Sequence, residues 1–331
     1  MKISELKPII KNYDKSKLES IIVELYKRIP KNIKEDYNID NYIININNES
    51  KSKTKKTEEF DLDNLKDEIL YFLSCVDNGF YHIPNRVIPK KERSSWRFKV
   101  KKYYKYLTSV DPTFIDGDIA TLLLIEIFKR LSEGTTYLLF SNWETFNAIG
   151  ITQDDYFREI FNRVSKNKVL NKEDRIKTIV DLLNVESNLY HEEDLYSIYS
   201  ELITDEEDIN ISIRIIQNKI VELKEVYKNI KSNSSNTKYY LGLNINYYIE
   251  LVTSLYIKLN QIETGINFYY QNAIDLEKTR AIINILHILD KYKLYNRWIE
   301  EYEKNSCLDS NAYIKQQYIK IKNELEHPIN D

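Results

Sequence analysis

The chain has 331 residues, 42% hydrophobic and 30% charged, with a formal net charge of −3. That much apolar material excludes a disordered chain, and only six Gly and six Pro argue against a fold of many short strands, which needs them at its turns. Cys75 and Cys307 have neither a paired nor a metal-type spacing, no segment reaches the roughly 18 apolar residues of a membrane span, and the N-terminus lacks an apolar secretory core. A reducing, cytoplasmic setting with no membrane partner is expected.

Residues 1–46 read as a small N-terminal helical unit. Ile3, Leu6, Ile9 and Ile10 keep helical spacing, Asp14 is placed to cap a second helix, and Leu18, Ile21, Ile22, Leu25 and Ile29 continue the stripe to Pro30. A third helix is expected over about 31–45. The stretch 47–59, NNESKSKTKKTEE, has no apolar side chain to offset the entropy of ordering it and reads as a flexible linker.

Residues 60–235 read as a helical domain. A helix over about 60–80 stops at Asn78 and Gly79; another over about 93–107 places Trp96, Val100, Tyr103, Tyr104 and Leu107 on one face. After the break at Asp111 and Pro112, Asp116 or Asp118 is expected to cap ATLLLIEIFKRLSE, a deeply buried helix closed by Gly134. Tyr137 to Phe140 fit either a helical turn or a short buried strand. Thr152 with Asp155 opens a helix over 153–164, and helices follow at about 171–184, 192–203 and 206–230. The polar loop KSNSSNT then marks a boundary with a C-terminal region, 236–331.

In that region, residues 246–278 carry Leu251, Leu255 and Tyr256 on a first helix, a short turn at Asn260 and Gln261, and Gly265, Ile266, Phe268, Tyr269 and Ala273 on a second. This segment resembles a tetratricopeptide repeat, although it lacks that repeat's early Trp and Leu-Gly pair and has about one extra residue before Ala273. Further helices are expected at about 279–290, 293–305 and 311–326, the last a polar cap with Lys315, Gln316, Lys320 and Lys322 on its outer face. Such helix pairs cannot bury their apolar faces alone, so the array is expected to begin well upstream of 246. The fold class expected is all-α, an α-solenoid of antiparallel helix pairs with a small N-terminal helical unit.

No phosphate-binding Gly-rich loop, Gly-x-Ser-x-Gly, His-Glu-x-x-His or Cys-x-x-Cys is present, and His82, His191, His287 and His327 share no ligand spacing. The acids after His191, the Asp111, Asp116 and Asp118 trio, and the Cys75 and His82 pair all have plainer explanations as first-turn acids, helix caps and core packing. No catalytic residue, metal or cofactor is expected.

The local anomaly is RVIPKKERSSWRFKVKKYYK, 86–105, in which nine cations stand against Glu92 alone. Arg86, Lys90, Arg93, Arg97, Lys101, Lys102 and Lys105 form its candidate anion or nucleic-acid surface, with Phe98 or Tyr106 available to stack on bases. Three answers to this charge stay open: a solvated helix, a nucleic acid, or the segment 186–208, whose nine acids have no Lys or Arg among them. The last could act inside one chain or join two copies. The function expected is that of a non-catalytic scaffold or peptide-responsive regulator that holds a partner polypeptide in a helical-repeat groove lined by residues such as Asn246, Tyr247 and Tyr248. Nucleic-acid binding through 86–105 is the alternative.

Overall fold

The computed structural model describes residues 13–31, 34, 62–82, 89, 92–184, 195–230, 235–305, 308 and 311–326. The expected first and third helices, the linker at 47–59, and Arg86, Lys90, His191, Cys307 and His327 lie outside them. The chain divides into two compact units, Met1–Phe60 and Asp61–Asp331. In the first, α1 (Lys15–Arg28) starts where Asp14 accepts a hydrogen bond from the Lys17 N–H at 2.8 Å.

The regular structure of the second unit's described residues is all helical, with no strand. Its helices are α2 (Leu62–Asp77), α3 (Trp96–Ser109), α4 (Ile115–Thr136), the short α5 (Thr145–Ile149), α6 (Gln153–Lys166), α7 (Lys172–Leu182) and α8 (Leu195–Leu202). Then come α9 (Glu206–Asn229), α10 (Ser235–Lys258), α11 (Ile262–Asn272), α12 (Lys278–Lys291), α13 (Tyr295–Glu303) and α14 (Ala312–Glu326). From α9 onward each helix packs on the next, whereas α4 on α6, α6 on α8, α7 on α9 and α8 on α10 pack two along the chain. The compositional boundary expected at 235/236 falls inside this unit, where α9 and α10 pack together. No described helix is long and apolar enough to cross a membrane.

Local chemistry sets several of the helix ends. Gly79, at φ +72°, terminates α2: its N–H reaches the Val76 carbonyl while the Phe80 N–H reaches that of Cys75. Thr152 caps α6 by accepting from the Asp155 N–H at 3.0 Å. The run of apolar residues in α4 is buried on nearly all sides, with Leu124, Phe128 and Leu131 fully enclosed. Tyr104, Phe146, Tyr156 and Phe157 gather around Phe128 as one aromatic cluster.

Three expectations are corrected. Asp116 and Asp118 do not cap α4, because Phe114 occupies the cap position and the two acids lie in the first turn, where the helix dipole favours them. Gly134 does not end α4, which runs on to Thr136; a Cβ there would meet the Phe140 ring at 2.5 Å, so the glycine serves close packing. Tyr137 to Phe140 form turns, neither helix nor strand, with Phe140 buried and Leu138 exposed.

Candidate functional site

Residues 246–278 form an antiparallel pair, α10 and α11, joined by a turn in which Asn260 takes a left-handed φ of +59°. Gly265 lets the helices approach closely, since a Cβ would lie 3.0 Å from the Thr253 carbonyl and 3.1 Å from Tyr256 Cβ. Ala273, expected inside the second helix, is its C-cap. The reason is Asn246 on α10, which accepts from the Ile274 N–H and donates to the Ile274 carbonyl, each at 3.0 Å, and so draws that residue out of the helix.

Between α8, α10 and α12 lies an open groove of about 380 Å³. On the α10 wall, Leu243, Asn246, Tyr247, Glu250, Leu251 and Ser254 recur at helical spacing; Tyr196, Ser197 and Ser200 come from α8. The α12 wall presents Arg280, Asn284, His287 and Lys291, spaced i, i+4, i+7 and i+11 and therefore on one face. Tyr247, 44% exposed, stacks on Tyr196 with ring centroids 5.5 Å apart.

The groove is held in shape by its ends. Lys258 donates from Nζ to the carbonyls of Ser200 and Ile203, each at 2.5 Å, and satisfies the last turn of α8. Partial burial, the largest influence, holds the Lys258 pKa below the usual lysine range. Ser200 Oγ and the Tyr292 hydroxyl meet at 2.9 Å and tie α8 to the residue that follows α12. Asn284 Nδ2 donates to both Glu250 and the Tyr269 hydroxyl at 3.0 Å, a hydroxyl whose pKa burial pushes up to about 12.

Electrostatically the groove leans positive. Arg280 and Lys291 are exposed and make no hydrogen bond or ion pair among the described residues, whereas Glu250 is engaged by Asn284. Desolvation first, and the Arg280 cation second, hold the His287 pKa below its ordinary value, with Asp290 pulling the other way. Such an arrangement offers two fixed cations, a titratable imidazole, several hydroxyl and amide groups and a flat tyrosine pair.

Of the groove residues expected from sequence, Asn246 and Tyr247 line it. Tyr248 does not: it is fully buried on the other side of α10, its hydroxyl donating to the Val180 carbonyl at 3.4 Å. The cationic stripe of α12 was missed, although its spacing is visible in KTRAIINILHILDK once the polar positions are read as a periodic set.

The basic segment is placed elsewhere. Arg93 sits in a 3-10 turn before α3 and not on its helical ridge, while Arg97, Lys101, Lys102 and Lys105 lie exposed on α3. The described acids of 186–208 do not answer it. Arg158 pairs with Glu201 at 2.8 Å, and Lys172 reaches Asp205 at 3.3 Å and Glu207 at 2.6 Å. The hydrogen bond that Arg158 donates lowers the Glu201 pKa, and those that Lys172 donates to Glu207, Asp208 and Asp205 raise its own. Comparison with protein-family models, curated proteins and solved structures finds no match to this chain.

Proposed function

We propose that this protein is a non-catalytic binding module that holds an acidic, extended segment of a partner polypeptide in the groove between α8, α10 and α12. The observation that carries the reading is the row Arg280, Asn284, His287 and Lys291, whose Arg280 and Lys291 make no hydrogen bond or ion pair among the described residues and line the same groove as the stacked pair Tyr196 and Tyr247. An acidic side chain would answer Arg280 and Lys291 as charge-assisted hydrogen bonds. The tyrosines would cover an apolar neighbour in the same segment, and Asn284 with the serines would meet its backbone.

The groove is lined by alternate helices, while α9 and α11 intervene in sequence. This arrangement supports reading 246–278 as a tetratricopeptide-like repeat and the neighbouring pairs as further units of a helical-repeat scaffold whose first helices would face the ligand. The tie from Lys258 to α8 and the Ser200–Tyr292 contact argue that the groove is formed before binding, which reduces the ordering cost of association.

The test is a fluorescence-anisotropy screen of the full chain against labelled acidic, neutral and basic peptides of matched length. Acidic peptides are expected to bind selectively, and Arg280→Glu with Lys291→Glu together to weaken them at least about tenfold, which corresponds to about 1.4 kcal/mol. Both positions are exposed, so the thermal midpoint should not move. Selection of neutral or basic peptides, or an affinity indifferent to the double variant, sinks the proposal.

A further inference from the structure

The groove does not use the basic face of α3. This helix turns Trp96, Val100, Tyr103 and Leu107 into the core. At about 100° per residue the direction opposite that stripe is that of Phe98, and Lys101, Lys102 and Lys105 share its face at three, four and seven residues onward. All four are exposed, Phe98 to 62%. A phenyl ring thus stands in water at the middle of a cationic face, with the Arg97 guanidinium over it 4.8 Å from the ring centroid.

Little inside the chain answers this charge. Among the described residues Arg97, Lys101 and Lys105 make no ion pair, and Lys102 meets only Glu68, at 3.5 Å and half in solvent. Of the described acids of 186–208, Glu201 is held by Arg158, and Asp205, Glu207 and Asp208 by Lys172.

We infer that this face of α3 binds single-stranded nucleic acid, with Arg97, Lys101 and Lys105 along the phosphates and Phe98 against an unpaired base. Four residues advance a helix by about 6 Å, which suits successive phosphates of an extended strand, and the cations supply affinity without sequence readout. The exposed ring supplies what a duplex cannot use, because paired bases are already stacked. A lipid surface would call for aliphatic side chains beside the cations, and those of α3 are buried. This inference stands apart from the groove.

The experiment is anisotropy of labelled mixed-sequence single strands of about 12 nucleotides, DNA and RNA, with the full chain across a salt series. A duplex and vesicles containing phosphatidylserine serve as competitors. Single strands should bind, weaken steeply with salt and lose binding in Lys101→Glu with Lys105→Glu. Phe98→Ala should weaken binding roughly tenfold without changing the salt slope, Phe98→Trp should restore it, and the groove variant Arg280→Glu with Lys291→Glu should leave it intact. No binding at low salt overturns the inference, as does indifference to Phe98→Ala, equal competition by duplex, binding to vesicles alone, or loss in the groove variant.

Discussion

His287 is the one groove side chain whose charge changes near neutral pH. Crowding by its neighbours and the Arg280 cation disfavour the imidazolium, so its pKa in the folded protein lies below the ordinary value of about 6.5. The unfolded chain therefore takes up this proton first, and the free protein loses stability as pH falls from that value toward the folded one. An acidic ligand reverses the preference locally, because it faces the imidazolium and prefers it charged. Affinity for an acidic peptide should accordingly rise as pH drops from about 7 through the range below 6.5, until the peptide's own carboxylates protonate near pH 4. Calorimetric titration of His287→Gln should give a flat profile; the same rise in that variant would remove the imidazole from the account.

Among the elements, α4 and α6 depend on a buried cation. Arg163 on α6 donates from Nε to Thr121 Oγ1 at 3.0 Å, from Nη1 to the Thr108 carbonyl at 3.3 Å and from Nη2 to the Gly117 carbonyl at 3.4 Å. One guanidinium thereby joins the end of α3, the start of α4 and the last turn of α6, and desolvation lowers its pKa. Arg163→Met is expected to cost about 3 kcal/mol by denaturant unfolding. Arg163→Lys should recover only part of this, since an ammonium's three donors spread from one nitrogen and cannot span acceptors set around a planar guanidinium; full recovery by lysine would show that charge and not the fork matters. Apolar spacing made the helices themselves legible, down to the Thr152 cap. What spacing could not show is which element a residue meets: Gly134 reads as a stop until Phe140 lies against it, and Ala273 reads as helical until Asn246 captures Ile274.

Across residues 61–331, the groove and the basic face are built from different helices, α8, α10 and α12 against α3. Part of this was readable: Asn246 and Tyr247 lie on the helix expected to face a ligand, whereas the exposure of the basic face of α3 stayed open. The rest depended on tertiary pairing. Nothing in sequence says that Glu201 is taken by Arg158 and Asp205, Glu207 and Asp208 by Lys172, or that α12 turns Arg280 and Lys291 toward Tyr196. Because the two surfaces share no side chain, charge reversal at both should act additively, each ligand responding only to its own pair of substitutions. In the quadruple variant, losses for peptide and for single strand should equal those of the separate double variants within about 0.5 kcal/mol. A larger discrepancy would mean that one ligand spans both faces or that its binding shifts the packing of α4 and α6 between them. Peptide affinity measured with and without saturating single strand separates these cases: a spanning ligand competes outright, whereas a shift in packing changes affinity by a finite, reciprocal factor.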